Sequence, residues 1–118
     1  MSTEKGRKGE EQAARFLKKQ GYTVLARNVR GGRGELDIIA QLDDILIFVE
    51  VKAHQSRQSG LEAVHQDKCE RLRSAALAWL GKHPEYARLQ CRFDLIMVTP
   101  KMGLQMFPNI EHLQDILR

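Results

Sequence analysis

Three residues of the 118-residue chain have types and positions suited to phosphoryl-transfer chemistry: Asp37, Glu50 and Lys52. Along the segment from Ile45 to Lys52, Ile45, Ile47, Val49 and Val51 face one way in a strand, and Leu46, Phe48, Glu50 and Lys52 the other. Glu50 and Lys52 therefore project side by side, behind two large apolar residues. Asp37 interrupts a second apolar segment, Leu36-Asp37-Ile38-Ile39. The acid-x-Lys spacing alone carries no information, because fifteen acids and eight lysines in 118 positions supply about one by chance. An ion pair at a sheet end would also contribute little. The second carboxylate on a neighbouring apolar strand is what matters, because like charges brought together there need a counter-charge. Mg²⁺ fits that need, with Mn²⁺ as the substitute: it takes hard oxygen ligands, one or two carboxylates among them, and leaves positions for water and phosphate oxygens. Asp37 and Glu50 are the natural ligands, with the Val51 backbone carbonyl available between Glu50 and Lys52. Lys52 can orient the attacking water, lower its pKa or stabilise charge developing on a phosphate. The arrangement suits in-line hydrolysis of a phosphodiester.

Glu10 is a third acid placed to join them. Glu10 lies three, four and seven residues before Ala13, Ala14 and Leu17, on the inward side of a helix. A carboxylate at the edge of an apolar stripe costs desolvation unless it is paired, so Glu10 can supply an outer ligand or a second metal site. Equally, it can sit in the first helical turn, where the helix dipole favours an acid.

The charge distribution agrees with a polyanion partner. The net charge is +4 and falls in blocks: residues 1–34 carry +6, residues 35–50 carry −5, and residues 51–118 carry +3. Basic surroundings attract nucleic acid, whereas carboxylates facing a phosphate backbone need a cation between. The alternative is a solvated acidic hairpin on a mildly basic protein.

The elements that must position these residues follow from periodicity. A helix is expected over Arg7–Gln20, ended by Gly21. Strands are expected at Tyr22–Arg30, Glu35–Gln41 and Ile45–Ala53, with Gly31-Gly32-Arg33-Gly34 as a flexible turn and Leu42-Asp43-Asp44 as a tight one. Gln55–Gly60 is a polar loop. A second helix is expected over Leu61–Gly81, a fourth strand at Arg92–Thr99 and a short fifth at Gly103–Phe107. Asn109 can cap a last helix carrying Ile110, Leu113 and Leu117. The crossover helix between strands three and four implies an α/β arrangement, a mixed sheet flanked by helices.

Length and composition bound the rest. At roughly 150 residues per domain, a single domain over residues 1–118 is expected. With 42% hydrophobic and 29% charged residues the chain is too apolar for disorder. No apolar run is long enough to cross a bilayer, and Met1-Ser2-Thr3-Glu4-Lys5 has no apolar stretch behind it, so neither a membrane span nor a signal peptide is expected. Cys69 and Cys91 form neither a disulfide framework nor a CxxC pair; buried free thiols in a reducing cytoplasm are expected.

Asp37, then twelve residues, then Glu50-Val51-Lys52 resembles the PD-(D/E)xK nuclease core, whose order is α-β-β-β-α-β. More closely, Gly9-Glu10, Gly21-Tyr22, Asn28, Arg30, Gly34-Glu35-Leu36-Asp37, Phe48-Val49-Glu50-Val51-Lys52, Ala63-Val64, Lys68 and Arg92-Phe93-Asp94 resemble the YraN family. Those are small bacterial proteins regarded as endonuclease-like and akin to archaeal Holliday-junction resolvases. The resemblance spans about residues 6–115. It implies a restriction-endonuclease-like αβββαβ core, with Asp37, Glu50 and Lys52 on the catalytic positions and Glu10 on the helix-one acid of the resolvases. In two places the sequence departs from the pattern. Leu36 stands before Asp37 where the wider motif has proline, and His54 follows Glu-Val-Lys where the family more often has Arg. A phosphate contact from His54 therefore depends on pH.

The implied function is a Mg²⁺-dependent endonuclease hydrolysing DNA phosphodiester bonds, branched or junction DNA included; for a four-way junction, a homodimer presenting two sites is expected. The alternatives are a nucleic-acid-binding module of the same fold without efficient catalysis, and a protein-interaction domain. Arg30, Arg33, His54, Gln66 and Lys68 are candidates for contacting nucleic acid, with a solvated helix face as the equal alternative for the last two. Asp94 is expected to pair with Arg92 or a helix in a structural role, and Trp79 to lie in the core. The four histidines are too scattered for zinc, and Ser56 and Ser59 lack the partners of a serine nucleophile.

Overall fold

A computed structural model of the chain describes residues 4–53, 66–101, 103–104 and 106–117. His54 and the expected loop 55–60 lie outside the described residues, as does the start of the expected second helix up to residue 65. Helix α1 spans Glu4–Lys19, strands β1 to β3 span Thr23–Gly31, Gly34–Leu42 and Ile45–Ala53, helix α2 spans Gln66–Lys82, and β4 and β5 span Gln90–Thr99 and Asn109–Leu113. The five strands form one sheet in the order β1-β2-β3-β4-β5. Only β3 and β4 run parallel, joined by the crossover through α2; every other pair is antiparallel. This is a mixed α/β sheet with a helix on each face, consistent with the restriction-endonuclease-like core.

Each helix covers one face because its apolar stripe matches the strand alternation. Ala13, Ala14 and Leu17 of α1 pack on Ile38, Ala40, Ile47, Val49, Val51, Ile96 and Val98. Leu72, Ala75, Ala76 and Trp79 of α2 pack on Leu36, Ile39, Leu46 and Phe48. Trp79 is a core residue, edge-on to Phe48. Strand β3, covered on both sides, is buried almost throughout, which is why it reads as a near-continuous apolar run. Helix α1 closes on a Schellman arrangement: the Tyr22 N–H donates to the Leu17 carbonyl and the Gly21 N–H to the Lys18 carbonyl, with Gly21 at φ 99°.

Three expectations are corrected. The fifth strand lies at Asn109–Leu113, where a capped helix is expected, and the described residues of Gly103–Phe107 form turns and bends. The spacing of Ile110, Leu113 and Leu117 suits a helix, but the free edge of β4 takes this segment as a strand, paired from Leu95↔Leu113 to Thr99↔Asn109. The buried Asp94 secures it: its carboxylate, fully shielded from solvent, accepts from His112 Nε2 at 2.7 Å and from the Asp115 N–H at 2.9 Å. Second, the Gly31–Gly34 turn is docked rather than free. The Arg33 N–H donates to Ser74 Oγ at 2.9 Å, and a Cβ on Gly34 would overlap the Arg71 carbonyl oxygen. Third, the thiols are not buried: Cys69 is half-buried and Cys91, at the outer end of β4, is exposed.

Candidate active site

The sheet forks where the carboxylates stand. Pairing between β2 and β3 runs from Leu42↔Ile45 to Ile38↔Val49 and stops there. Beyond that point β2 stays paired with β1 as far as Gly31↔Gly34, while β3 stays paired with β4 as far as Ala53↔Val98. Asp37 sits on one arm of the fork and Glu50 on the other. The local alternation of β2 slips at this point, since Leu36 packs toward α2 and Ile38 toward α1. On β1, Asn28 lies between Arg27 and Val29, the partners of Ile38 and Leu36, and takes φ 54°. Asparagine is among the few residues that tolerate that region.

The open ladder leaves the Val51 N–H without a β2 carbonyl, and Asp37 Oδ2 accepts it at 2.7 Å. Burial above all, then the charge of Glu50, raises the Asp37 carboxyl to about 7; the Val51 N–H opposes the rise and Glu10 adds to it. Glu50 is 5% exposed, and its Oε1 lies 3.1 Å from Lys52 Nζ.

Glu10 reaches the fork from the opposite layer. Helix α1 begins at Glu4 rather than Arg7, so Glu10 stands well past the first turn and the dipole account of its position does not hold. It is 8% exposed, on the stripe shared with Ala13 and Ala14. The preceding Gly9 permits the approach, since a Cβ there would lie 3.0 Å from the Ala53 Cβ.

Two hollows meet at the fork. One of about 480 Å³ is bordered by Glu10, Asn28, Arg30, Asp37, Glu50 and Lys52; the other, about 250 Å³, by Arg33, Gly34, Asp37, Glu50 and Arg71. Asp37 and Glu50 border both, so their side chains open to the same space. Arg30 Nη2 lies 3.6 Å from Glu35 Oε1 at the rim. Sequence reasoning missed Asn28 and Arg71 as cleft residues. Nothing in the helical pattern marks Arg71; the signal for Asn28 is an asparagine interrupting an otherwise strand-like run. Gln66 and Lys68 lie on α2, but their side chains are outside the described residues, as is all of His54. Among the described residues no three His, Cys, Asp or Glu side chains gather as a ready-made cage for an ion.

The model of the uncharacterised protein family UPF0102 matches residues 9–98. The chain belongs to that family. The UPF0102 chain is 42% identical over 96 residues to the UPF0102 protein of Mesorhizobium japonicum, a match covering 81% of this chain and 77% of that one. It is 44% identical over 105 residues to the UPF0102 protein of Symbiobacterium thermophilum, covering 85% and 86%. With the Rhodopseudomonas palustris UPF0102 protein the identity is 40% over 104 residues, covering 88% and 80%. The span matched to UPF0102 includes Glu10, Asp37, Glu50 and Lys52. No described helix of the UPF0102 chain is long and apolar enough to cross a membrane.

Proposed function

We propose that the chain is a Mg²⁺-dependent endonuclease that hydrolyses DNA phosphodiester bonds at the fork of the sheet, branched or junction DNA included. One observation carries the reading: two carboxylates on the separated arms of one sheet, the first raised to about 7 by burial and the second's charge, with a lysine at 3.1 Å from the second. The resemblance to the YraN family and the PD-(D/E)xK nucleases falls on these same residues.

Asp37, Glu50 and the Val51 carbonyl would hold the ion, with Glu10 as an outer ligand. The donors fit, being hard oxygens only. Two carboxylates without a complete cage also leave positions for water and phosphate, the manner in which Mg²⁺ is usually held. Bound there, a divalent cation withdraws charge from the scissile phosphate and lowers the pKa of water. Lys52, fixed by Glu50, stabilises the charge that gathers on the phosphate oxygens as water attacks in line and the opposite P–O bond breaks, giving a phosphomonoester and an alcohol. Arg30, Arg33 and Arg71 on the cleft borders offer contacts to flanking phosphates. Acting on a four-way junction, the protein would work as a homodimer with two clefts.

The second reading, nucleic-acid binding without efficient catalysis, is favoured by one observation. Asp37 keeps its proton up to about pH 7, and an ion must displace that proton to bind. Cleavage of labelled linear and branched DNA with Mg²⁺ or Mn²⁺ tests the proposal. Wild-type protein should cut, and Asp37→Ala and Lys52→Ala should not. Salt-sensitive binding without cutting would support the second reading, and no binding at low salt would favour a protein-interaction domain.

A further inference from the structure

We infer that a third hollow, which shares Ala53 with the acid cleft, holds an unpaired nucleobase of the nucleic acid being processed. The inference rests on the reading of the chain as a nucleic-acid enzyme and adds to it a preference for substrates with single-stranded character. The hollow measures about 450 Å³, ample for one nucleotide. Val98, Pro100, Met106 and Phe107 give it apolar walls, and Lys8 and Lys101 border it. None of its described lining residues is acidic, in contrast to the neighbouring cleft.

Three observations point to a base with its phosphates rather than to an apolar partner. First, Met106 and Phe107 are 78% and 76% exposed, beside an opening rather than beneath the core. An exposed aromatic ring next to lysines stacks a base of any identity while the ammonium groups meet the adjacent phosphates. Second, the two lysines that border the hollow come from different elements, Lys8 from α1 and Lys101 from the segment just after β4, so its positive charge does not belong to one helix face alone. Third, Ala53 borders both hollows, and Glu10 follows Gly9 directly. A strand with a base in the apolar hollow therefore needs to advance only a short way to present its phosphate to Asp37 and Glu50.

The test is anisotropy with a labelled single-stranded oligonucleotide and a blunt duplex of the same length, in metal-free buffer so that nothing is cut. Phe107 is exposed, so Phe107→Ala should fold, which its circular dichroism melt verifies. The expected result is a loss of about 5- to 150-fold in single-strand affinity for Phe107→Ala, with duplex affinity within about twofold and single-strand affinity kept by Phe107→Trp. Lys8→Gln and Lys101→Gln should each lower the salt dependence of single-strand binding by about one phosphate contact. Unchanged single-strand affinity of Phe107→Ala, or equal losses on both substrates, overturns the inference while leaving the nuclease reading intact. Wild-type protein that binds neither substrate, both in this buffer and with Ca²⁺ added as a cation that supports binding without cutting, overturns that reading and the inference with it. Self-association that Phe107→Ala abolishes, without loss of single-strand affinity, gives the hollow to a second copy of the chain and overturns the inference.

Discussion

Asp37 Oδ2 accepts the Val51 backbone N–H at 2.7 Å, with Asp37 one residue and Val51 two residues beyond Ile38↔Val49, the last pair joining β2 to β3. A side chain here does the work of a strand. It closes the fork just enough to satisfy the peptide and leaves the rest of the carboxyl group facing Glu10 and Glu50. The site is thus built from an interruption of regular structure, and its acids are costly to the fold unless a cation joins them.

That cost sets the pH dependence of the metal-free protein. The Asp37 pKa of about 7 in the folded chain stands above its ordinary 3.8, so the native state binds the extra proton. This contribution to stability is fully present below the ordinary value and is lost as the pH rises toward 7. The melting temperature in chelator should therefore fall between about pH 4 and pH 7. Asp37→Asn, which keeps an oxygen for the Val51 N–H, should flatten that fall. A flat wild-type profile would remove the electrostatic basis of the site.

Lys52 and Glu50 are a nearly enclosed pair, with side chains 17% and 6% exposed. Lys52→Met leaves the Glu50 charge without its cation and should cost about 3–5 kcal/mol in urea unfolding. Adding Glu50→Gln should restore much of it, because the double variant buries no lone charge.

The buried acid at the other network behaves in the opposite sense. Burial pushes the Asp94 carboxyl up, but hydrogen bonds from His112, Arg92 and the Asp115 N–H, with the Arg92 charge, outweigh it and leave the carboxyl below its ordinary value. Its contribution is present above the ordinary carboxylate range and lost as the pH falls through the folded value. Asp94→Ala should cost at least about 3 kcal/mol. Hydrogen exchange should show β5 amides losing protection before those of β3.

Gly34→Ala tests whether the docked hairpin holds the fork open. The added methyl meets the Arg71 backbone, which cannot retreat without moving α2. Unfolding free energy should drop by about 1–3 kcal/mol. Affinity for Mn²⁺ should fall as well, since Asp37 lies three residues along the same strand.

How much of this was legible in the sequence depended on whether a residue's environment is local. Strand β3 is read from Ile45 to Ala53 because alternation and burial agree along it. Glu10, Asp37, Glu50 and Lys52 stand out because charges among apolar neighbours have few reasons to be there. The identity of β5 was not legible: Ile110, Leu113 and Leu117 fit a helix, and the deciding partners, the β4 edge and Asp94, are distant in sequence. Nor was the fork, which depends on where two ladders stop. Arg71 joins the cleft only because Gly34 brings the hairpin against α2.

Mn²⁺ titrated into the protein at pH 8, with the free ion followed by electron paramagnetic resonance, measures whether Asp37 and Glu50 together bind one divalent cation. One site per chain is expected in the wild type, competed by Mg²⁺ and lost in both Asp37→Asn and Glu50→Gln, with each variant folded by circular dichroism. Wild-type protein that binds no Mn²⁺, or variants that bind it as the wild type does, would contradict a site shared by the two carboxylates.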